Sequence, residues 1–325
     1  MTIETVKEYL SKHLEAVKGV MDSSLESDIP LLNGINNRIM ESGGKHIRPM
    51  ICLLIADSLG TVNRSTYNFA AASEMLHNAT LLHDDVADDS PSRRGKPTIY
   101  SLFGAAASVL VGDFWLVKAM EAILRDEECS KEILNLFAKT LSHLAEGEML
   151  QMQKAETLDT TFEDYLRIIF CKTASLFEAS AKSGAISVGA SAEAQNTVVE
   201  YARYLGYAFQ MKDDIFDYIP SSNVGKEVGV DILEKKITLP LIVALNNAPE
   251  DDRTAIMDVI SRIDAKPALR NRVVAFVERY EGVPGACKVL EEYIVKALSI
   301  LESLPSSMAK ESLIFLTKYV GDRTV

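Results

Sequence analysis

The sequence predicts an all-α protein, and three observations carry that expectation. Apolar residues recur at helical spacing nearly everywhere, as in Leu102, Ala106, Val109, Leu110 and Trp115, or in Leu134, Phe137, Leu141 and Leu144. Strand-like alternation does not extend over any useful length. With 10 Pro and 17 Gly in 325 residues, punctuation is sparse, which predicts long helices joined by short loops.

Taken in order, MTIETVKEYLSKHLEAVK alternates acidic and basic residues and lacks an apolar core with a cleavage site, so it reads as a first amphipathic helix and not as a signal peptide. The clearest breaks follow at SGGKHIRP (42–49), DSPSRRGKP (89–97), IPSSNVGKEVG (219–229) and NNAPEDD (246–252). The most apolar stretch, Gly104 to Leu124, is interrupted by Asp113 and Lys118 and reads as a buried helix, not a membrane span. No break is a low-complexity linker and no composition shift marks a boundary, so residues 1–325 are expected to form a single large helical domain.

Asp plus Glu number 46 against 34 Lys plus Arg, a net charge of -12 that offers no general attraction for nucleic acid or an anionic membrane. An anionic ligand must therefore be held by a local basic cluster or through metal ions. Cys52, Cys129, Cys171 and Cys287 are scattered without CxxC or CxxH spacing, as reduced thiols of a cytosolic protein are. A soluble, cytoplasmic protein is expected.

The stretch LLHDDVADDSPSRRGKPT crowds Asp84, Asp85, Asp88 and Asp89 just ahead of a proline. In a helix Asp84 and Asp88 lie one turn apart on one face, separated by about 6 Å of rise, with Asp85 and Asp89 as a neighbouring pair. A second stretch, QMKDDIFDYIP, echoes it, placing Gln210, Asp213, Asp214 and Asp217 at i, i+3, i+4 and i+7. Both sit where a helix is about to end, and there the macrodipole opposes negative charge by about 0.3 to 1 kcal/mol per exposed group. A solvated acidic face would explain either cluster alone, but such faces carry interleaved Lys or Arg, and only Lys212 lies inside these. Paired stripes of carboxylate oxygens suit a hard divalent cation. Mg²⁺ is favoured over Ca²⁺ because no EF-hand-like loop is present.

Short basic clusters stand out against the acidic background: Lys45, His46 and Arg48 in GGKHIRP; Arg93, Arg94 and Lys96 in SRRGKP; Lys226, Lys235 and Lys236 in GKEVGVDILEKK. Arginine in a turn fixed by Gly or Pro suits bidentate contact with phosphate, and lysine acts as a point charge. Each alone is most simply a surface loop. Together with two metal-type clusters they describe a site for two anionic groups, one held through metal and one held directly. His77, seven residues before Asp84 on the same face, is either a donor to phosphate or a packing residue.

These segments, GGKHIRP, EMLHNATLLHDDVADDSPSRRGKPT (74–98), KTASLF (172–177), FQMKDDIFD (209–217) and VGVDILEKKITLPL (228–241), resemble the trans-isoprenyl diphosphate synthase family in order and spacing over nearly the whole chain. The resemblance is to the single-component, long-chain octaprenyl-type members. It implies a single helical bundle of the isoprenoid synthase type around a central cavity, usually homodimeric, in which an allylic diphosphate primer is joined to isopentenyl diphosphate with Mg²⁺, three ions when substrate is bound. It implies that Asp84, Asp88 and Asp213, supported by Asp85, Asp214 and Asp217, hold the metal. Arg93, Lys172, Thr173, Gln210 and Lys226 would contact the allylic diphosphate, and Lys45, Arg48, His77 and Arg94 would bind isopentenyl diphosphate. His46 stands where the family often has Arg, and EKK (234–236) replaces a more usual EGK, which leaves Lys235 and Lys236 open individually.

In this family the fifth and fourth residues before the first motif gate the growing tail. Here they are Ala79 and Thr80, with Leu76 and Ser73 one turn deeper. On a helical wheel only Thr80 lies near the Asp84 face, and Ala79 rests on the resemblance alone. Small side chains imply a long product, heptaprenyl to decaprenyl (C35 to C50), suited to a quinone side chain. Two rivals stand beside this reading. A class I terpene cyclase would carry N/D-x-x-S/T-x-x-x-E in place of DDIFD, and a non-catalytic partner subunit would have lost aspartates that this chain keeps.

Overall fold

The structure, a computed structural model, describes residues 1–93, 95–219, 228–263 and 265–323; Arg94 and Lys226 lie outside the described residues. Among these the fold is helical throughout: α1 (Ile3–Tyr9), α2 (Ser11–Leu25), α3 (Pro30–Glu41), α4 (Ile47–Leu59), α5 (Arg64–Ala87), α6 (Ile99–Phe103), α7 (Ala105–Leu124), α8 (Ser130–Thr157), α9 (Phe162–Ile169), α10 (Ser175–Ser187), α11 (Ala192–Phe216), α12 (Val230–Leu233), α13 (Leu239–Asn247), α14 (Glu250–Ser261), α15 (Arg270–Arg279), α16 (Gly282–Leu301) and α17 (Met308–Asp322). The one extended pairing described is a two-residue antiparallel ladder, β1 (Ser92–Arg93) with β2 (Lys96–Pro97). The chain divides into two compact units: Met1–Ala138 with Ala179–Val199 and Leu304–Leu313, and Lys139–Glu178 with Glu200–Ser303 and Ile314–Val325.

In the first unit α5 starts at a capping box in which Asn63 and Thr66 exchange hydrogen bonds, satisfying donors that an uncapped helix leaves open. It ends in a Schellman turn: Ser90 N–H reaches the Asp85 carbonyl at 3.0 Å, and Asp89 occupies the left-handed position at φ +51°, which glycine usually fills. α7 packs closely along α5, its Ser108 hydroxyl donating to the Leu82 carbonyl at 2.8 Å. Trp115 is fully buried and donates from Nε1 to Asn36 Oδ1 at 2.8 Å.

The expectation that α7 is buried all round does not hold. Val111, Gly112, Trp115, Ala119, Ala122 and Ile123 face the core, but Leu110, Val117 and Leu124 are more than half exposed and follow one another at seven-residue spacing. An unbroken apolar sequence conceals which of its faces has a partner within the chain.

In the second unit, α9 and α10 are joined by a π turn, Phe170–Ala174. Two glycines let neighbouring helices close on it. A Cβ on Gly147 of α8 would meet Cys171 Cβ at 2.6 Å, and one on Gly206 of α11 would meet Ala174 Cα at 2.5 Å.

Candidate active site

The end of α5 carries the first aspartate motif. Asp84 is half-buried, Asp88 is the exposed C-cap, and Asp85 is 5% exposed. Asp85 is turned to the β1–β2 turn, where Arg93 Nε donates to its Oδ1 at 2.8 Å. The turn is tied down further by Tyr100, whose hydroxyl donates to Asp89, and by Lys96, which donates to the Ser42 carbonyl at 3.2 Å. Lys45 lies in the loop before α4 and Arg48 is buried in its first turn. His46 caps α4 in the left-handed region at φ +49°, its Nδ1 3.0 Å from Oε1 of the buried Glu74. His77, on α5, is half-buried.

The chain-length candidates divide in two. Leu76, Ser73 and Ala79 are buried, and the Ala79 carbonyl lies against α7, 3.2 Å from where a Gly112 Cβ would sit. Thr80 is only half-buried and spends its hydroxyl on the His77 carbonyl at 2.9 Å.

The second motif ends α11. Asp213 is 41% exposed in its side chain and pairs with Arg323 Nη2 at 2.8 Å. Arg323, just past α17, is 5% exposed there, donates to the Phe209 carbonyl at 2.7 Å and stacks 4.1 Å over the Phe209 ring. Asp214 is buried, accepting from Tyr165 Oη at 2.6 Å and from Gln210 Nε2 at 2.9 Å. Burial raises its carboxyl to about 6 even though both hydrogen bonds act in the opposite direction. Asp217 is also buried and caps α12, accepting from the backbone N–H of Val230 at 3.1 Å and of Asp231 at 3.2 Å. Asp214 and Asp217, expected among the metal ligands, therefore have both oxygens engaged by the protein, and Asp213 is the outward carboxylate of the three.

The π turn presents Lys172 and Thr173 beside this motif. A π turn holds one residue more than an α turn and so rotates the side chains that follow it. Lys172 pairs with Glu148 and donates to Gln151 Oε1 at 3.0 Å; Thr173 donates to Gln210 Oε1 at 2.7 Å. A cavity of about 110 Å³ opens here, lined among others by Lys154, Lys172, Gln210, Asp214, Asp231 and Lys236. Lys236 pairs with Glu234, and Lys235 is in the left-handed region at φ +56°. The Asp231 carboxyl is raised by burial first and then by the nearby charges of Asp217 and Asp214.

This unit thus offers cationic and amide donors together with carboxylates around one cavity, the donor set that a metal-bound diphosphate requires. Asp84 and Asp88 in the first unit and Asp213 in the second are hard oxygen donors of the kind Mg²⁺ takes, a few carboxylates with water and phosphate oxygens completing its shell, and among the described residues no three such side chains are gathered into a metal-holding group.

A model of the polyprenyl synthetase family matches residues 29–277. The chain belongs to this family. It is 36% identical to an octaprenyl diphosphate synthase of Haemophilus influenzae over 99% of this chain and 98% of that one. Among solved structures it is similar to a decaprenyl diphosphate synthase from Rhodobacter capsulatus (TM-score 0.92, 31% identity, 100% of both chains). A polyprenyl synthase from Caulobacter crescentus complexed with calcium and isoprenyl diphosphate is as similar (TM-score 0.92, 30% identity, 100% of this chain and 98% of that one). The fold is therefore the all-α isoprenoid synthase fold, and the activity is that of a long-chain trans-prenyltransferase.

Around this polyprenyl synthase site the sequence concealed Tyr165, Glu148, Asp231 and Arg323. Asp231 stood in a quoted motif, and Glu148 carried no pattern. Tyr165 had the spacing of a core residue, and Arg323 reaches Asp213 from the far end of the chain.

Proposed function

We propose that the chain condenses isopentenyl diphosphate with an allylic diphosphate to form a heptaprenyl to decaprenyl diphosphate suited to a quinone side chain, acting as one synthase over residues 1–325 in the cytoplasm. The observation that carries this reading is the build of the two motifs: in each, an outward first aspartate stands beside a second that is buried and hydrogen-bonded. Asp84, Asp88 and Asp213 would hold Mg²⁺, with Asp85, Asp214 and Asp217 fixing the backbone behind them. The metal's contribution is to neutralise the diphosphate as a leaving group. Lys172 adds positive charge to the allylic diphosphate, Arg93 is assigned to it by resemblance, Gln210 adds an amide donor, and Thr173 sets that amide through their hydrogen bond. Lys45, Arg48 and His77 take the second diphosphate, with Arg94, Lys226 and Lys236 assigned by resemblance to the anion sites. The allylic C–O bond breaks, the isopentenyl alkene forms the new C–C bond, and the proton then lost passes to the departing diphosphate.

Incubation with Mg²⁺, labelled isopentenyl diphosphate and farnesyl diphosphate tests the reading. Elongated prenyl diphosphates support it. A hydrocarbon product would indicate a cyclase, and absence of product a non-catalytic subunit. Of the gating residues, Thr80→Tyr should shorten the product to fifteen or twenty carbons with turnover retained, whereas Ala79→Tyr would force an aromatic ring into a fully buried position and lower stability. Unchanged product length in Thr80→Tyr on reversed-phase chromatography would place the tail elsewhere.

The exposed series Leu110, Val117 and Leu124 of α7 supports a homodimer. Seven-residue spacing is that of a helix seam that packs against a like helix. Leu110→Glu with Val117→Glu should convert the protein to monomers in light scattering.

A further inference from the structure

Tyr165 belongs to no motif, yet it is 3% exposed and its hydroxyl makes a 2.6 Å hydrogen bond to a buried carboxylate. From it a continuous chain of hydrogen bonds runs through three elements of the second unit. Tyr165 of α9 donates to Asp214 Oδ2; Gln210 Nε2 of α11 donates to Asp214 Oδ1 at 2.9 Å; Thr173 of the π turn donates to Gln210 Oε1 at 2.7 Å. An ionised carboxylate only accepts, so the amide nitrogen of Gln210 must face Asp214 and its oxygen must face Thr173. By the donor inventory of an amide, one N–H of Gln210 is left for a ligand, and Gln210 lines the cavity together with Lys172.

The direction of the whole chain depends on Asp214. A flipped Gln210 would set its oxygen against the carboxylate, place its NH₂ against the Thr173 hydroxyl and withdraw the donor it offers the cavity. Tyr165 supplies one of the two donors that keep the buried Asp214 carboxylate in place, and a buried hydrogen bond to a charged group is among the stronger ones.

We propose that Tyr165 is a positioning residue: acting through Asp214, it locks Gln210 in one amide orientation and so fixes the donor offered to the diphosphate of the allylic substrate. This rests on the prenyltransferase reading above only in naming that substrate. Tyr165 also lines the cavity, but its hydroxyl is committed to Asp214, so the effect of removing that hydroxyl passes through the glutamine.

A double-mutant cycle tests it. Tyr165→Phe keeps the ring and removes only the hydroxyl, and Gln210→Met removes the amide that is to be oriented. Calorimetric affinity for a non-reactive allylic thiolodiphosphate in the presence of Mg²⁺ is measured in all four proteins, so the result does not depend on turnover. Tyr165→Phe should weaken binding at least fivefold in the native background and less than twofold in the Gln210→Met background. In steady state it should raise KM for the allylic substrate while KM for isopentenyl diphosphate stays within twofold. An equal loss in both backgrounds, no loss, or parallel changes in the two KM values would overturn the proposal. Should Tyr165→Phe unfold, Asp214→Asn paired with Gln210→Met must give the same non-additivity, and additive losses there overturn it equally. Wild-type elongation of farnesyl diphosphate is scored separately: activity with an additive cycle refutes the role of Tyr165 alone, and failure of the wild type to elongate refutes the functional reading.

Discussion

Asp85 and Asp214 hold the same place in their motifs and the same state in the fold, each 5% exposed, with Arg93 donating to the first and Tyr165 and Gln210 to the second. Their neighbours Asp84 and Asp213 are both half-exposed. The third positions part company. Asp88 is an exposed C-cap, whereas Asp217 is buried and holds the first backbone donors of α12. Two motifs with the same aspartate spacing thus share an anchor and an outward carboxylate and differ in the last one, which the first motif leaves to solvent and the second uses to fasten the returning chain.

The largest expected effect tests the shared half of this comparison. Asp84→Ala and Asp213→Ala should each lower turnover by about a thousandfold, the scale on which removing a group that stabilises developing charge acts. Their metal-free stabilities should nevertheless diverge. Asp84→Ala relieves like charge at a helix C-terminus and should leave the melting temperature equal or higher. Asp213→Ala strands the buried Arg323 guanidinium and should cost about 2 kcal/mol, between the values for exposed and buried pairs. Equal melting temperatures would show that Arg323 does not depend on Asp213.

The next effect concerns the anchor. Asp214 binds its proton more tightly folded, at about 6, than at its ordinary 3.8. The folded protein therefore holds more protons between these values, and stability falls as pH rises through that window, by up to about 3 kcal/mol for a shift of this size. In metal-free protein, Asp214→Asn should be more stable than wild type above pH 6, and the gap should close by pH 4. A gap independent of pH in urea melts would mean that burial is not what perturbs this carboxyl.

The smallest effect probes where the motifs differ. Asp217→Ala removes a helix cap and should cost about 1 kcal/mol in urea unfolding, whereas Asp88→Ala should change stability by less than about 0.5 kcal/mol. Similar costs would erase the distinction drawn here.

The helices and both aspartate motifs were legible because each leaves a local mark, a 3.6-residue period and crowded like charge, whereas Lys172 and Thr173 were picked out only by the family resemblance. The ionic partners were not. Within one turn the clusters carry only Lys212, but Arg93 arrives over a turn and Arg323 from the end of the chain. Burial within the motifs was equally invisible, since Asp84 and Asp85 are the same residue in adjacent positions and only packing separates them. The exposed stripe on α7 escaped because hydropathy sums over a helix and says nothing about which side is covered.

The π turn at Phe170–Ala174 has a consequence for deletions. Such a turn is an α-helix with one residue inserted, so deleting Cys171 would let α9 run into α10 in a single regular helix. Backbone hydrogen bonding would be conserved and even regularised, yet every residue from Ser175 onward would keep its place only if Lys172 and Thr173 gave up theirs. Lys172, which lines the cavity, and Thr173, which holds Gln210, are thus encoded in a reading-frame sense as well as by identity: a chain one residue shorter would present a different surface to the cavity.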